Sequence, residues 1–174
     1  MHIEGYKRRD KTPYDKIAVK FIAGIIVGLL IFVLLISVER INNNDMEPNY
    51  KIEDIIYAYR YSTPKFGDIV MLNVPNQNDK VTVSRIIASE NQTVEIKNKT
   101  IFVDGKQISP DWKFNYSDQR IFNENFTTRD NMSPVKIGKE KYFLIGDNYD
   151  IAFDSRFFGE VDNSDITGVV LFSF

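Results

Sequence analysis

An unbroken apolar run near the N-terminus restricts the structures open to this chain more than any other feature. Residues 21–38 read FIAGIIVGLLIFVLLISV, and the run extends back to Ile17 if the Lys20 ammonium snorkels to the membrane surface. At about 1.5 Å per residue, a helix over residues 17–38 is roughly 30 Å long, which matches one hydrocarbon core. The run therefore predicts a single transmembrane anchor at residues 17–38.

Two other interpretations of this run fit it less well. A cleaved secretory signal has an apolar core of about 7 to 15 residues and ends at small residues. The run is longer than that and is followed by Ser37-Val38-Glu39-Arg40. A buried core helix of a soluble domain normally carries polar residues on one face, and this run has none on any face.

The charges on either side of the run predict its orientation. Few basic residues follow it, whereas six precede it: Lys7, Arg8, Arg9, Lys11, Lys16 and Lys20. The positive-inside rule then makes residues 1–16 a cytoplasmic tail and residues 39–174 an extracytoplasmic domain. That domain has 16 basic and 21 acidic residues, a formal net charge of −5. Its charge argues against a nucleic-acid partner and against purely electrostatic docking on anionic lipid.

Composition narrows the chemistry of the remaining chain. A length of 174 residues suffices for one core of ordinary size, so we expect a single domain plus the anchor. The absence of cysteine excludes disulfides, thiolate zinc sites and a cysteine nucleophile. The single histidine, His2, lies in the N-terminal tail, which argues against a Ser/His/Asp triad and a multi-histidine metal site. No cofactor and no metal are predicted.

Beyond the anchor the pattern changes to short runs rich in β-branched and aromatic residues, each bounded by Gly, Pro, Asn or Asp. The pairs Asn98-Lys99 and Asp104-Gly105 predict hairpin turns. Residues 107–135 lack apolar periodicity and predict a long loop with one short strand. The fold class is therefore mostly β and antiparallel, with strands predicted at residues 55–59, 68–74, 81–87, 93–96, 100–103, 141–145 and 168–172.

The most distinctive stretch is residues 142–161, which read YFLIGDNYDIAFDSRFFGEV. It resembles the Gly-Asp-Asn … Asp-Ser-Arg-x-Phe-Gly box of bacterial type I signal peptidases. Further boxes similar to that family occur in the same order at residues 45–48 (DMEP), 65–70 (KFGDIV), 81–85 (VTVSR) and 103–106 (VDGK). The resemblance spans residues 17–172 and implies a signal-peptidase-type antiparallel β domain behind one N-terminal transmembrane helix.

The resemblance also implies which residues stand at the two catalytic positions of that family. There, a Ser hydroxyl attacks the peptide carbonyl and a neutral Lys amine accepts its proton. The Ser position matches Asp45, and the Lys position matches Ser84, which precedes Arg85. A carboxylate is a poor nucleophile toward an amide, and a hydroxyl cannot act as a base near neutral pH. The resemblance therefore implies a catalytically inactive homologue without catalytic residues.

Other matched positions line or support the former site. Asn43 stands at the oxyanion-hole position, where its amide can still donate a hydrogen bond, and Ala152 replaces a Ser that orients the Lys. Strand addition of a signal peptide in that family implies a groove along residues 43–48 and 81–85. The former-site and groove residues are Asn43, Asp45, Met46, Pro48, Ser84, Arg85 and Ala152, and the structural supports are Gly146, Asp147, Asn148, Asp154, Ser155 and Arg156.

Two contacts at this site follow as expectations from the resemblance. The Arg that follows the Lys position pairs in that family with the Asp of the Asp-Ser-Arg group, which predicts an ion pair between Arg85 and Asp154. If the fold brings positions 45 and 84 together, the Asp45 carboxylate should accept a hydrogen bond from the Ser84 hydroxyl.

Three functional hypotheses remain open. The first is an inactive, membrane-anchored signal peptidase homologue that still binds signal peptides, preproteins or an active signal peptidase. The second is an active membrane-bound peptidase with rearranged chemistry, in which Asp45 works with Asp147 or Asp154 as a carboxylate pair. The third is a structural or regulatory membrane protein unrelated to secretion. Apart from the lipid bilayer, the sequence fixes no partner.

Overall fold

The computed structural model describes residues 13–75, 77 and 81–174. The chain divides into two compact units, Met1–Leu35 and Ile36–Phe174. The tail before residue 13 lies outside the described residues, together with His2 and four of the six basic residues on which the predicted orientation rests.

The first unit contains one long helix, α1, at Pro13–Leu35. Within the described residues, its segment Lys16–Leu35 is the single helix long and apolar enough to cross a membrane, and none of it is buried in the protein. The helix ends three residues before the apolar run does. Residues 36–38 instead begin a strand that pairs with residues 57–59, so a helix ending at Val38 was too long.

The second unit is built from two antiparallel sheets, as the alternating runs predicted. All seven predicted strands are present, with bounds that shift by no more than two residues. The strands are β1 Ile36–Arg40, β2 Ile55–Tyr59, β3 Ile69–Asn73, β4 Val81–Ser89, β5 Thr93–Lys97, β6 Thr100–Val103, β7 Lys106–Gln107, β8 Met132–Lys136, β9 Lys141–Ile145, β10 Val161–Asp162 and β11 Ile166–Ser173.

The larger sheet has the strand order β1-β2-β11-β3-β4-β9-β10, and the smaller has the order β7-β6-β5-β8. The hairpin between β5 and β6 turns at Asn98 and Lys99, whose φ angles are 48° and 64°. The next turn uses Asp104 and Gly105, at φ 51° and 75°. Paired positive φ values are what a tight hairpin requires, so both predicted turns are confirmed.

Three clusters of buried apolar side chains fill the second unit. One joins β4 and β9 of the larger sheet to the smaller sheet and includes Phe143 and Ile145. Another packs the chain after β1 against the larger sheet and is centred on Met46, which is fully buried. Burial of a side chain of this size stabilises a fold by roughly 1.5–3 kcal/mol, so Met46 anchors the turn that carries Asp45.

Residues 108–131 contain neither helix nor strand, as the loop prediction required. They are held by buried charges: the Lys99 ammonium lies 2.5 Å from the Asp150 carboxylate, and Arg129 Nε lies 2.7 Å from Asp130. Asp118 joins this cluster through Arg129 at 3.1 Å. Hydrogen bonds from Arg120 hold the pKa of Asp118 below its ordinary value. These ion pairs fix the position of residues 118–130 on the protein.

Candidate functional site

A turn at residues 43–48 meets the start of β4. The Asn43 side chain connects the two: its Nδ2 donates to Thr82 Oγ1 at 2.9 Å, and its Oδ1 accepts from the Asp45 N–H at 3.2 Å. The buried Met46 follows, with its Sδ 3.4 Å from the Asp147 N–H. Pro48 is exposed at the end of the turn. The predicted groove residues of both segments are therefore neighbours.

The Asp45 carboxylate lies between three parts of the chain. Its Oδ1 accepts from the Phe153 N–H at 3.3 Å, and its Oδ2 accepts from the Thr82 hydroxyl at 3.5 Å. Its backbone carbonyl accepts from the Asn148 N–H at 2.9 Å. Asp45 thereby links the turn, β4 and the loop after β9.

Ser84 is buried in the middle of β4 with 2% of its surface exposed. Within the described residues its hydroxyl has no hydrogen-bond partner. The expected hydrogen bond from Ser84 to Asp45 is therefore wrong. Thr82, two residues earlier on the same face of the strand, supplies the hydroxyl that Asp45 accepts from.

Gly146, the residue after β9, packs against Asp45 and Ala152. In the neighbouring strand Arg85 is paired with Ile145, and Ser84 is paired with Val70 of β3. A Cβ on Gly146 would lie 2.5 Å from Ala152 Cβ and 2.6 Å from the Asp45 carbonyl oxygen. The Ala152 side chain and the Asp45 backbone therefore leave room for glycine alone at position 146.

Arg85 forms an ion pair with Asp147 and not with Asp154. Its Nε and Nη2 donate to the two Asp147 oxygens at 2.8 and 2.6 Å, a bidentate arrangement. Asn49 Nδ2 also donates to Asp147, at 2.7 Å. The predicted pair of Arg85 with Asp154 was wrong. Asp147 pairs with Arg85, and Asp154 pairs with a different arginine.

Asp154 pairs with Arg156, two residues further along the chain. The guanidinium donates from Nε and Nη2 to the two carboxylate oxygens at 2.8 and 2.7 Å. Asp154 is also the N-cap of the short helix α2, Ser155–Phe158, and accepts from the Gly146 N–H at 3.0 Å. Burial would lower the pKa of Arg156, but the Asp154 carboxylate raises it overall. Asp154 thus fixes the loop without touching Arg85.

The remaining predicted supports hold the same loop. The Ser155 hydroxyl accepts from the Leu144 N–H at 3.0 Å, and Asn148 Nδ2 donates to the Asn44 carbonyl at 2.9 Å. Asn115, from the segment 108–131, donates its N–H to the Asp147 carbonyl at 2.7 Å and accepts from the Tyr149 N–H at 3.1 Å. Backbone and side-chain hydrogen bonds therefore hold residues 144–155 from both sides.

Comparison with known proteins shows the family to which the chain belongs. The family model described as "Signal peptidase, peptidase S26" matches residues 15–174. The chain belongs to this signal peptidase family. It is 32% identical over 169 residues to "Signal peptidase IB" of Staphylococcus aureus (strain Mu50 / ATCC 700699), which covers 91% of this chain and 85% of that protein. It is 31% identical over 169 residues to "Signal peptidase I P" of Bacillus subtilis subsp. natto, covering 94% and 89%.

Among solved structures, a crystal structure of a signal peptidase I from Enterococcus faecalis V583 aligns with a TM-score of 0.49 and 24% identity. The alignment covers 63% of this chain and 98% of that chain. The family membership rests on the sequence match, and the mostly antiparallel β architecture behind an N-terminal apolar helix agrees with it.

Several contacts of this site were not predicted from the sequence, although Thr82 itself lies in the predicted groove segment 81–85. Thr82 and Phe153 bind the Asp45 carboxylate, Asn49 binds Asp147, and Trp112 covers Arg85, with its ring centre 4.5 Å from the guanidinium carbon. The sequence signals for these residues were weak, because a Thr among other β-branched strand residues and a Trp in a polar loop belong to no recognisable motif. The one signal for Thr82 was its spacing of two residues from Ser84, because residues two apart on a strand lie on the same face of the sheet.

The cationic side chains at and near this site already form ion pairs with aspartates. The buried amine of Lys99 is held by Asp150, and the Arg85 and Arg156 guanidiniums are held by Asp147 and Asp154. In the described part of the chain, no group of three or more His, Cys, Asp or Glu side chains is arranged to hold a metal ion. Within the described residues, the buried side-chain polar atoms of this site that lack a hydrogen-bond partner are the Ser84 hydroxyl and Trp112 Nε1.

Proposed function

We propose that this chain is a catalytically inactive signal peptidase I homologue. The observation that carries the proposal is the environment of Asp45, whose carboxylate accepts from the Phe153 N–H and the Thr82 hydroxyl, while the Ser84 hydroxyl lacks a partner among the described residues. Amide hydrolysis by this family requires an activated hydroxyl beside a proton acceptor. At positions 45 and 84 the chain offers an acid and an unactivated alcohol instead.

The proposal includes a single-pass membrane topology. The helix Lys16–Leu35 has the length and apolarity of a membrane span, and relatives named signal peptidases match the chain across this segment. The six basic residues before it favour a cytoplasmic N-terminus. Residues 39–174 then form an extracytoplasmic domain, in the compartment where exported precursors emerge.

The partners that we propose follow from family membership and from the retained scaffold. A domain that keeps the turn at 43–48, the edge of β4 and the loop 146–156 has the surfaces with which to meet signal peptides, preproteins or an active signal peptidase. The net charge of −5 on residues 39–174 disfavours nucleic acid.

A rearranged, Asp-based peptidase is less well supported. A carboxylate pair must share a proton, which requires two carboxyl groups in contact and one of them neutral. Asp147 and Asp154 each accept two hydrogen bonds from a guanidinium, which occupies both oxygens of each carboxylate. A structural or regulatory membrane protein unrelated to secretion is the remaining alternative, and isolation of the native membrane complex without any secretion component would favour it.

The test uses the full chain in detergent micelles with a synthetic signal peptide spanning a processing junction. We expect no cleavage by the wild-type chain. The double variant Asp45→Ser with Ser84→Lys restores an alcohol and an amine and should give weak but measurable cleavage. The matched control is Asp45→Ser with Ser84→Met, which supplies a long side chain without an amine and should be inactive. Cleavage by the wild-type chain at the processing junction would overturn the proposal.

A further inference from the structure

One edge of β4 faces a narrow cleft beside the Asp45 turn. Strand β9 pairs with β4 at residues 85–89, whereas residues 81–85 pair with β3 on the opposite edge. Beyond the end of β9, residues 81–83 and residues 39–43 line the same small cleft. The cleft between them has a volume of about 10 Å³, which holds about one water molecule.

Side chains of the protein fill the place where a peptide strand would lie. Here Asn43 Nδ2 and Thr82 Oγ1 meet across the gap at 2.9 Å, and Asp45 Oδ2 lies 3.5 Å from the same hydroxyl. Thr82 is buried, with 4% of its surface exposed. These three residues therefore close the cleft with direct polar contacts.

We propose that the Asn43–Thr82 bridge is a gate that opposes the entry of extended peptides into the groove, and that Thr82 is the residue that sets peptide access. The inference rests on the proposed function, since it concerns the same groove. An entering peptide must break the bridge before its main chain can hydrogen-bond to the β4 edge. Peptide binding and gate closure are then mutually exclusive.

The size of the effect follows from the bond that is lost. A typical side-chain hydrogen bond has a modest net strength because water replaces it when it breaks. Removing the bridge should therefore raise peptide affinity about 2- to 12-fold. Thr82→Val suits this purpose, because valine keeps the shape and β-branching of threonine but cannot bond to Asn43 or Asp45.

The experiment compares peptide binding by full-length chains in micelles. The probe is a fluorescent synthetic signal peptide with a photocrosslinking residue, and binding is measured by fluorescence anisotropy. Thr82→Val and Asn43→Ala remove the bridge from either side. Thr93→Val is the matched control, a strand threonine on β5 in the smaller sheet. Mass spectrometry locates the crosslink on the chain.

We expect both bridge variants to bind the peptide about 2- to 12-fold more tightly than the wild type, with crosslinks at residues 81–84, while Thr93→Val binds as the wild type does. Equal binding by the wild type and both bridge variants, with the crosslink in the groove, would overturn the gate. Absence of peptide binding in every variant would also overturn it. Cleavage of the probe by the wild type would instead contradict the proposed inactivity and leave the gate to be judged on affinity.

Discussion

Replacing Arg85 by Met should destabilise the folded domain by about 3–5 kcal/mol, because it leaves a buried carboxylate without its cation. The side chains of Arg85 and Asp147 are 9% and 0% exposed, and two hydrogen bonds of 2.8 and 2.6 Å join them. Asp147→Asn should cost a similar amount, because the buried guanidinium is then unpaired. For a domain of this size the loss corresponds to a decrease in Tm of roughly 10–20 °C.

A double-mutant cycle separates the observed pair from the pair expected from the sequence. Arg85→Met combined with Asp147→Asn should cost much less than the sum of the two single changes, with an interaction energy of about 1.5–3 kcal/mol. Arg85→Met combined with Asp154→Asn should be additive to within about 0.5 kcal/mol. The exposed pair of Arg40 and Glu53, at 60% and 70% exposure, is the control, and Glu53→Gln should cost less than about 1 kcal/mol.

Thermal and urea unfolding of the full chain in detergent supplies these numbers. Trp112 is the sole tryptophan and lies 4.5 Å above the Arg85 guanidinium, so its fluorescence reports directly on the site. A larger interaction energy for Arg85 with Asp154 than with Asp147 would refute the assignment of the ion pairs. A loss below about 1 kcal/mol for Arg85→Met would refute the argument from burial.

Two further predictions concern the packing and the charges around the site. Gly146→Ala should unfold at a urea midpoint well below that of the wild type, because the new Cβ would lie 2.5 Å from Ala152 Cβ; an unchanged midpoint would contradict the close packing. Burial raises the pKa of Asp150, but the Lys99 ammonium and the Asp118 N–H lower it overall. The stabilisation from a lowered carboxyl pKa is present above the unfolded value of about 3.9 and is lost below it, so Asp150→Asn should be less stable than the wild type at pH 7 and differ little near pH 2. A stability gap that widens on acidification would contradict this sign.

Local sequence patterns predicted most of the architecture. Alternating apolar residues and turn pairs such as Asp104-Gly105 determine strands and hairpins within a few residues, so these elements could be located without a structure. The end of α1 could not, because the apolar run continues unchanged from the helix into β1. Hydrophobicity alone does not show where the helical hydrogen bonds end and the strand that pairs Ile36 with Tyr59 begins.

The site was predictable in its members but not in its contacts. Box order located Asp45, Ser84 and Arg85 near one loop, yet that loop offers two aspartates and the sequence does not say which one Arg85 meets. The choice depends on the backbone: Asp154 caps α2 and turns toward Arg156, which leaves Asp147 for Arg85. The contacts of Thr82, which lies in the predicted groove segment 81–85, were missed because they depend on which part of β4 lies beyond the end of β9.

The edge strand of the smaller sheet, β8, affects whether two copies of the chain can pair through their sheets. Strand β8 lies at the edge of that sheet, with residues 133–136 exposed, and includes Pro134 and Lys136. Proline has no amide hydrogen to donate to a neighbouring strand, and the charge of an edge lysine disfavours pairing with a second copy of the chain. An unprotected strand edge would let a second copy extend the sheet. β8 is therefore a poor partner for strand pairing between two copies of the chain.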